Sequence, residues 1–75
     1  MTARKVVDAR GLMPPAPLQL TLEALDSLEP GGEVLLLLNR EPFPLYAILQ
    51  ENGFTHRTES RDDGTFEIHI TSAAP

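Results

Sequence analysis

No cysteine occurs among the 75 residues of this chain. Disulfide staples, thiolate metal ligands, thiol nucleophiles and thiol redox chemistry are therefore excluded at once. Aromatic residues are few: no tryptophan, one tyrosine and three phenylalanines. Positive charge is also sparse, with six Lys and Arg against eleven Asp and Glu and a net charge of −5. The six basic residues, Arg4, Lys5, Arg10, Arg40, Arg57 and Arg61, are scattered. They form no stripe that would neutralise a phosphate backbone, so nucleic acid is not expected as a partner. Long apolar runs are missing too. The longest, Val34 to Leu38, is far short of the ~20 residues a membrane helix needs. Met1-Thr2-Ala3-Arg4-Lys5 leads into two apolar residues rather than a signal-peptide core. The expectation is a cytoplasmic protein with no membrane contact.

What remains is enough for one small domain spanning residues 1–75, with a core from about 4 to 71. A chain of this length buries only about 60% of its unfolded surface, so its net stability is modest. The candidate core is Val6, Leu18, Leu22, Leu25, Leu28, Val34, Leu36, Leu38, Leu45, Ile48, Leu49, Phe54, Phe66, Ile68 and Ile70.

Arg4 to Asp8, centred on Val6-Val7, reads as a strand, and Ala9 to Met13 as a turn carrying Gly11. Pro14-Pro15-Ala16-Pro17 opens a helix, where missing amide hydrogens cost little. Leu18, Leu22, Leu25 and Leu28 then recur at helical spacing until Pro30-Gly31-Gly32 stops the helix. Glu33 to Asn39 is a central strand, since five consecutive apolar residues suit contact on both faces. A second helix starts near Pro42-Phe43-Pro44, carries Leu45, Ile48 and Leu49, and closes at Asn52-Gly53. Phe54 to Ser60 and Thr65 to Thr71 form a hairpin around Arg61-Asp62-Asp63-Gly64. Ser72 to Pro75 reads as a frayed tail. The order β-α-β-α-β-β predicts an α/β (α+β) two-layer sandwich, a four-stranded mixed sheet with both helices on one face. The echo of Pro15-Ala16-Pro17-Leu18 in Pro42-Phe43-Pro44-Leu45 fits either the suitability of proline at helix starts or an old β-α duplication.

Sites in open sheets collect beyond the carboxyl ends of parallel strands. Asp8, Ala9, Arg10 and Gly11 should share that edge with Asn39, Arg40 and Glu41, with Met13, the prolines and Tyr46 close by. Arg10 and Arg40 could grip an anion there, or Asp8, Arg10, Arg40 and Glu41 could simply pair as a surface network. A three-residue hairpin loop sends His56 inward near Ile70 and His69 outward, so the two do not chelate together; a four-residue loop would bring them opposite but turn Phe54 outward. The first register buries Phe54 and is preferred. Two histidines alone make a poor site in either case, and no metal or other cofactor is expected. If Val34, Leu36 and Leu38 face the helices, Leu35 and Leu37 point to the open face beside Val7, as a surface for a protein partner or a second copy. The alternative is that Thr65, Glu67, His69 and basic side-chain stems cover them. No Ser-His-Asp order, phosphate loop or paired-carboxylate arrangement stands out, and enzyme activity is not expected.

The run Asp8-Ala9-Arg10-Gly11-Leu12-Met13-Pro14-Pro15-Ala16-Pro17 resembles the signature of the TusA/SirA sulfur carriers, a Gly-Leu-x-Cys-Pro-x-Pro run at the first helix. Leu25-Asp26-Ser27-Leu28 with Pro30-Gly31, and Gly53-Phe54, extend the likeness over residues 5 to 71. The resemblance implies the same β-α-β-α-β-β fold, shared with the C-terminal domain of translation initiation factor three. In those carriers the cysteine holds a persulfide; here Pro14 takes its place, and Pro14, Pro15 and Pro17 remove three amide donors. Together with Arg40-Glu41-Pro42-Phe43-Pro44-Leu45-Tyr46, the pattern is more similar still to a cysteine-free, uncharacterised branch of that superfamily. Its members are small bacterial proteins or modules, often near hemerythrin-like domains or respiratory and redox genes. That branch offers no activity to carry over; the fold with its cysteine erased, together with the Leu35/Leu37 face, leads to the expectation of a non-catalytic carrier-like domain that docks on a protein partner. An anion-binding module at the Arg10/Arg40 edge, or a divergent relative still tied to sulfur transfer, are its alternatives.

Overall fold

The computed structural model describes residues 4–72. Along the chain these form β1 (Arg4–Asp8), α1 (Ala16–Asp26), β2 (Glu33–Leu38), α2 (Phe43–Glu51), β3 (Phe54–Ser60) and β4 (Phe66–Ser72). The four strands make one sheet in the order β1-β2-β4-β3. β1 runs parallel to β2, while β4 is antiparallel to both β2 and β3. Of the expected tail, Ser72 closes β4 and residues 73–75 lie outside the described residues, as do Met1, Thr2 and Ala3. No helix among the described residues is long and apolar enough to cross a membrane.

The continuous apolar run of β2 is explained by its position between β1 and β4. Val34, Leu36 and Leu38 join Ile68 and Ile70 of β4 in the core, under Leu25 of α1 and Leu45 and Leu49 of α2. Both helices therefore lie on one face, in the two-layer architecture that the element order predicts. Leu18, Ala24, Leu28, Tyr46, Phe54 and Phe66 pack around this centre half-buried.

Four assignments from the pattern need correction. On β1, the parallel register sets Val7 beside Leu36 and Val6 beside Leu35. Val7 thus packs under the helices, whereas Val6 is 60% exposed on the other face; alternation had been placed one residue out of phase. On α1, Leu22 is exposed and the fully buried residue is Thr21. The line Leu18, Thr21, Leu25, Leu28 follows the 3.6-residue period more closely, and the Thr21 hydroxyl satisfies itself by donating to the Pro17 carbonyl at 2.8 Å. Ile48 is only half-buried, outside the core. Finally, Leu35 and Leu37 are buried, 7% and 8% exposed. Side chains of β4, Glu67 and His69, flank them in register, so Val7, Leu35 and Leu37 do not form the exposed partner surface expected of them.

The β3–β4 hairpin pairs Ser60 with Phe66 and His56 with Ile70. The amide of Arg61 donates to the Thr65 carbonyl at 2.8 Å, which leaves Asp62-Asp63-Gly64 as a three-residue loop. Gly64 sits at φ +89°, in the left-handed region this loop type requires and glycine adopts freely. The Asp63 carboxylate accepts from the Thr65 amide at 2.9 Å. This register puts His56 on the helix face and His69 on the opposite face, as the shorter of the two loops predicts.

Candidate functional site

The edge beyond the carboxyl ends of β1 and β2 is built by two short connections. After Asp8, the Ala9 amide extends the ladder by donating to the Leu37 carbonyl at 3.0 Å, and Ala9 itself is buried. The chain then turns sharply at Gly11, whose φ of +79° only glycine adopts without strain. The Gly11 amide donates to the Asn39 side chain at 2.8 Å. This bond fastens the loop after β1 to the residue just past β2, and explains why β2 ends at Leu38 rather than Asn39.

Arg10 folds back on Asp8. Its Nε and Nη2 donate to the two carboxylate oxygens at 2.9 and 2.8 Å, and its amide donates to Oδ1 at 3.2 Å. These bonds hold the Asp8 carboxyl at a pKa of about 2, the Arg10 side chain being the largest cause and its amide the next. Because the folded value lies below the unfolded one, about 3.9, any stability the pair adds is present above pH 4. It is lost as pH falls through about 2; the pair is exposed to solvent, so the contribution is small. An NMR titration of the Asp8 carboxyl should show its midpoint near 2 in the wild type, rising toward but stopping short of the free value in Arg10→Ala, which removes the side-chain bonds and keeps the amide's. Asp63, at the hairpin tip, also acts electrostatically on Arg10.

Glu41 and Tyr46 belong to a different cluster. The Tyr46 hydroxyl donates to Glu41 Oε2 at 3.0 Å and lies 2.5 Å from the Thr58 hydroxyl. Since the carboxylate only accepts, Thr58 must donate to the tyrosine oxygen. The Tyr46 ring stacks on His56, with centroids 4.1 Å apart, and takes the edge of Phe43 at 6.0 Å. Burial pushes the Tyr46 hydroxyl above its ordinary pKa. The structure therefore joins Asp8 to Arg10 and Glu41 to Tyr46, while no hydrogen bond or ion pair links Arg10 to Arg40 among the described residues. Asn39 and Thr58 hold these clusters in place. Asn39 is expected at this edge from its place at the end of the second strand, whereas Thr58 carries no sequence signal beyond being a polar residue on a mixed strand.

The start of α1 offers little to an anion. Pro15 is its N-cap residue, without a side-chain cap. The Ala16 amide is already spent on the Met13 carbonyl at 3.0 Å, and Pro17 has no amide hydrogen. What this edge does present is apolar surface: Met13 is 79% exposed, Phe43 67% and Leu12 44%. Leu12 and Met13 lie in the loop after β1, and Phe43 opens α2 at the end of the connection after β2; the Gly11–Asn39 bond ties the two connections together.

Residues 6–72 match the family described as "Uncharacterized conserved protein (DUF2249)". The crystal structure of a SirA-like protein from Desulfitobacterium hafniense is similar, at 25% sequence identity and a TM-score of 0.78. The likeness covers 87% of this chain and 92% of that one. No curated protein matches.

Proposed function

The chain belongs to the family of uncharacterised conserved proteins DUF2249 and has a SirA-like, sulfur-carrier-like fold, and from that premise we propose that it is a non-catalytic docking module, working on a protein partner in a redox or respiratory setting. The observation that carries this reading is the exposure of Met13 and Phe43 at the carboxyl edge of β1 and β2. Val6, Leu20 and Leu22 are also exposed elsewhere, but Met13 and Phe43 are the two most exposed large apolar side chains among the described residues and flank connections joined by the Gly11–Asn39 bond, which supports a contact surface at this edge. Pro14 stands where the related carriers have their reactive cysteine, so the edge keeps its place in the fold without the nucleophile. No other residue there supplies one: Arg10 is engaged by Asp8, and the Tyr46 hydroxyl by Glu41 and Thr58.

The competing reading, a small anion held by Arg10 and Arg40, requires the anion to displace Asp8 from a bidentate pair. Arg40 has no hydrogen bond or ion pair among the described residues, so the favourable half of such a site is a single side chain.

The test places a photo-crosslinking residue at position 13 or 43 in the native cell. Both positions should capture the same protein, and Met13→Glu with Phe43→Glu should weaken that complex at least tenfold while the ¹⁵N spectrum stays dispersed. Capture of a second copy would make the module a homodimer. Saturable shifts at Arg10, Gly11, Arg40 and Glu41 on adding thiosulfate, sulfate, phosphate or small carboxylates, with no captured protein, would replace docking by ligand binding.

A further inference from the structure

The open face of the sheet carries a second cluster, away from the edge just described. β3 and β4 place Glu59 directly opposite Glu67, and His69 follows two residues along on the same face. Like charges opposed across a sheet repel, and such a pair persists only with a positive counterpart. Two arginines supply part of it: Arg57 Nε lies 3.3 Å from Glu59, and Arg61 is paired with Glu67. The floor is apolar, made by the buried Leu35 and Leu37 in register with His69 and Glu67.

His69 is the informative member. Its Nδ1 lies 2.8 Å from Glu33 Oε1. A carboxylate accepts only, so Nδ1 donates to Glu33, and Nε2 is the nitrogen left to bond a ligand when the ring is neutral. That Nε2 is buried and has no hydrogen-bond partner among the described residues. Its nearest acidic oxygen, Glu67 Oε1, is 3.7 Å away, beyond hydrogen-bond range. A carboxylate that fixes one nitrogen of an imidazole while the other points unpartnered at acidic oxygens is the arrangement found around histidine metal ligands.

We propose that Glu59, Glu67 and His69 bind one divalent transition cation of the zinc type, with Glu33 as the positioning residue for His69. One ligand atom from each of the three lies within 4.8 Å of the others. Tetrahedral zinc, with bonds of about 2.0–2.2 Å, requires ligand atoms roughly 3.4 Å apart. The closure falls to Glu59, whose side chain is half exposed on an edge strand, while Glu67 and His69 are held more tightly. The ion displaces Arg57 and Arg61 from the two carboxylates, whose charge it balances. Imidazole in the ligand set favours zinc-type ions over magnesium or calcium. Three protein ligands leave a fourth position to water.

The chain is titrated with Zn²⁺ at neutral pH by calorimetry and by ¹⁵N NMR. Saturable one-to-one binding is expected, with shifts centred on Glu59, Glu67 and the His69 ring and none with Mg²⁺. Glu59→Gln, an exposed substitution that cannot unfold the sheet, should weaken binding at least tenfold, and His69→Gln should abolish it. Glu33→Gln should cost 10–100-fold. His56→Gln, on the opposite face, should leave the affinity unchanged. The site is refuted if the wild type shows no saturable Zn²⁺ binding, if binding survives both Glu59→Gln and His69→Gln, or if it is lost in His56→Gln. None of these readouts depends on the docking edge.

Discussion

Leu36→Ala is expected to remove most of the domain's stability and leave it marginally folded at room temperature. Leu36 is fully buried in β2, between Val7 of β1 and Ile68 of β4 in the sheet register. The removed atoms leave a cavity whose walls are strands held by ladder hydrogen bonds, so collapse around it is limited. Truncations of this kind cost about 2–5 kcal/mol. Small domains have a total stability near the low end of about 5–15 kcal/mol, so one such cavity consumes most of it. Urea unfolding followed by circular dichroism checks this, and a loss under about 1 kcal/mol would mean that the core repacks freely.

Leu35→Asp combined with Leu37→Asp should be at least as damaging, although both side chains point away from the helices. If that face were open, the double variant would merely be more soluble. Instead both positions are under a tenth exposed. Leu37 sits between Asp8 and Glu67 in register, so a carboxylate there adds negative charge to an acidic row. Buried, unpaired charge is among the few mechanisms that exceed about 4 kcal/mol in a single substitution. Val6→Asp, on the same face but mostly exposed, should change stability by no more than about 0.5 kcal/mol. A dispersed ¹⁵N spectrum and a wild-type urea midpoint for the double variant would show that the covering side chains move aside at little cost.

The element order, the hairpin register and the two-layer packing were legible because each rests on local chemistry: proline at helix starts, glycine at turns, alternation in β4. Legibility failed where a choice of phase depended on a partner strand. Nothing within Arg4 to Asp8 says whether Val6 or Val7 faces the helices; the pairing with β2 decides it. Thr21 was passed over in favour of Leu22 because a polar residue reads as solvent-facing until its hydroxyl is seen to bond within its own helix. At the candidate edge, the surface network of Asp8, Arg10, Arg40 and Glu41 offered as one alternative formed only in part. Arg10 found its carboxylate two residues away in Asp8, and Glu41 found Tyr46. The hairpin register already sets Glu59 opposite Glu67 and near His69, but the reach of Glu33 from a third strand, which fixes the His69 ring, could not be read from it.

The strand order has a consequence for how the protein is made. β4, last of the four to be synthesised, lies between β2 and β3. Until it leaves the ribosome, β2 has one bare edge lined by Leu35 and Leu37, and β3 has no neighbour to pair with. A nascent chain ending at the hairpin turn therefore cannot close any part of this sheet except β1 on β2. Folding must wait for release of the final strand, and in that interval the most apolar segment of the chain stands as an open template for a passing strand.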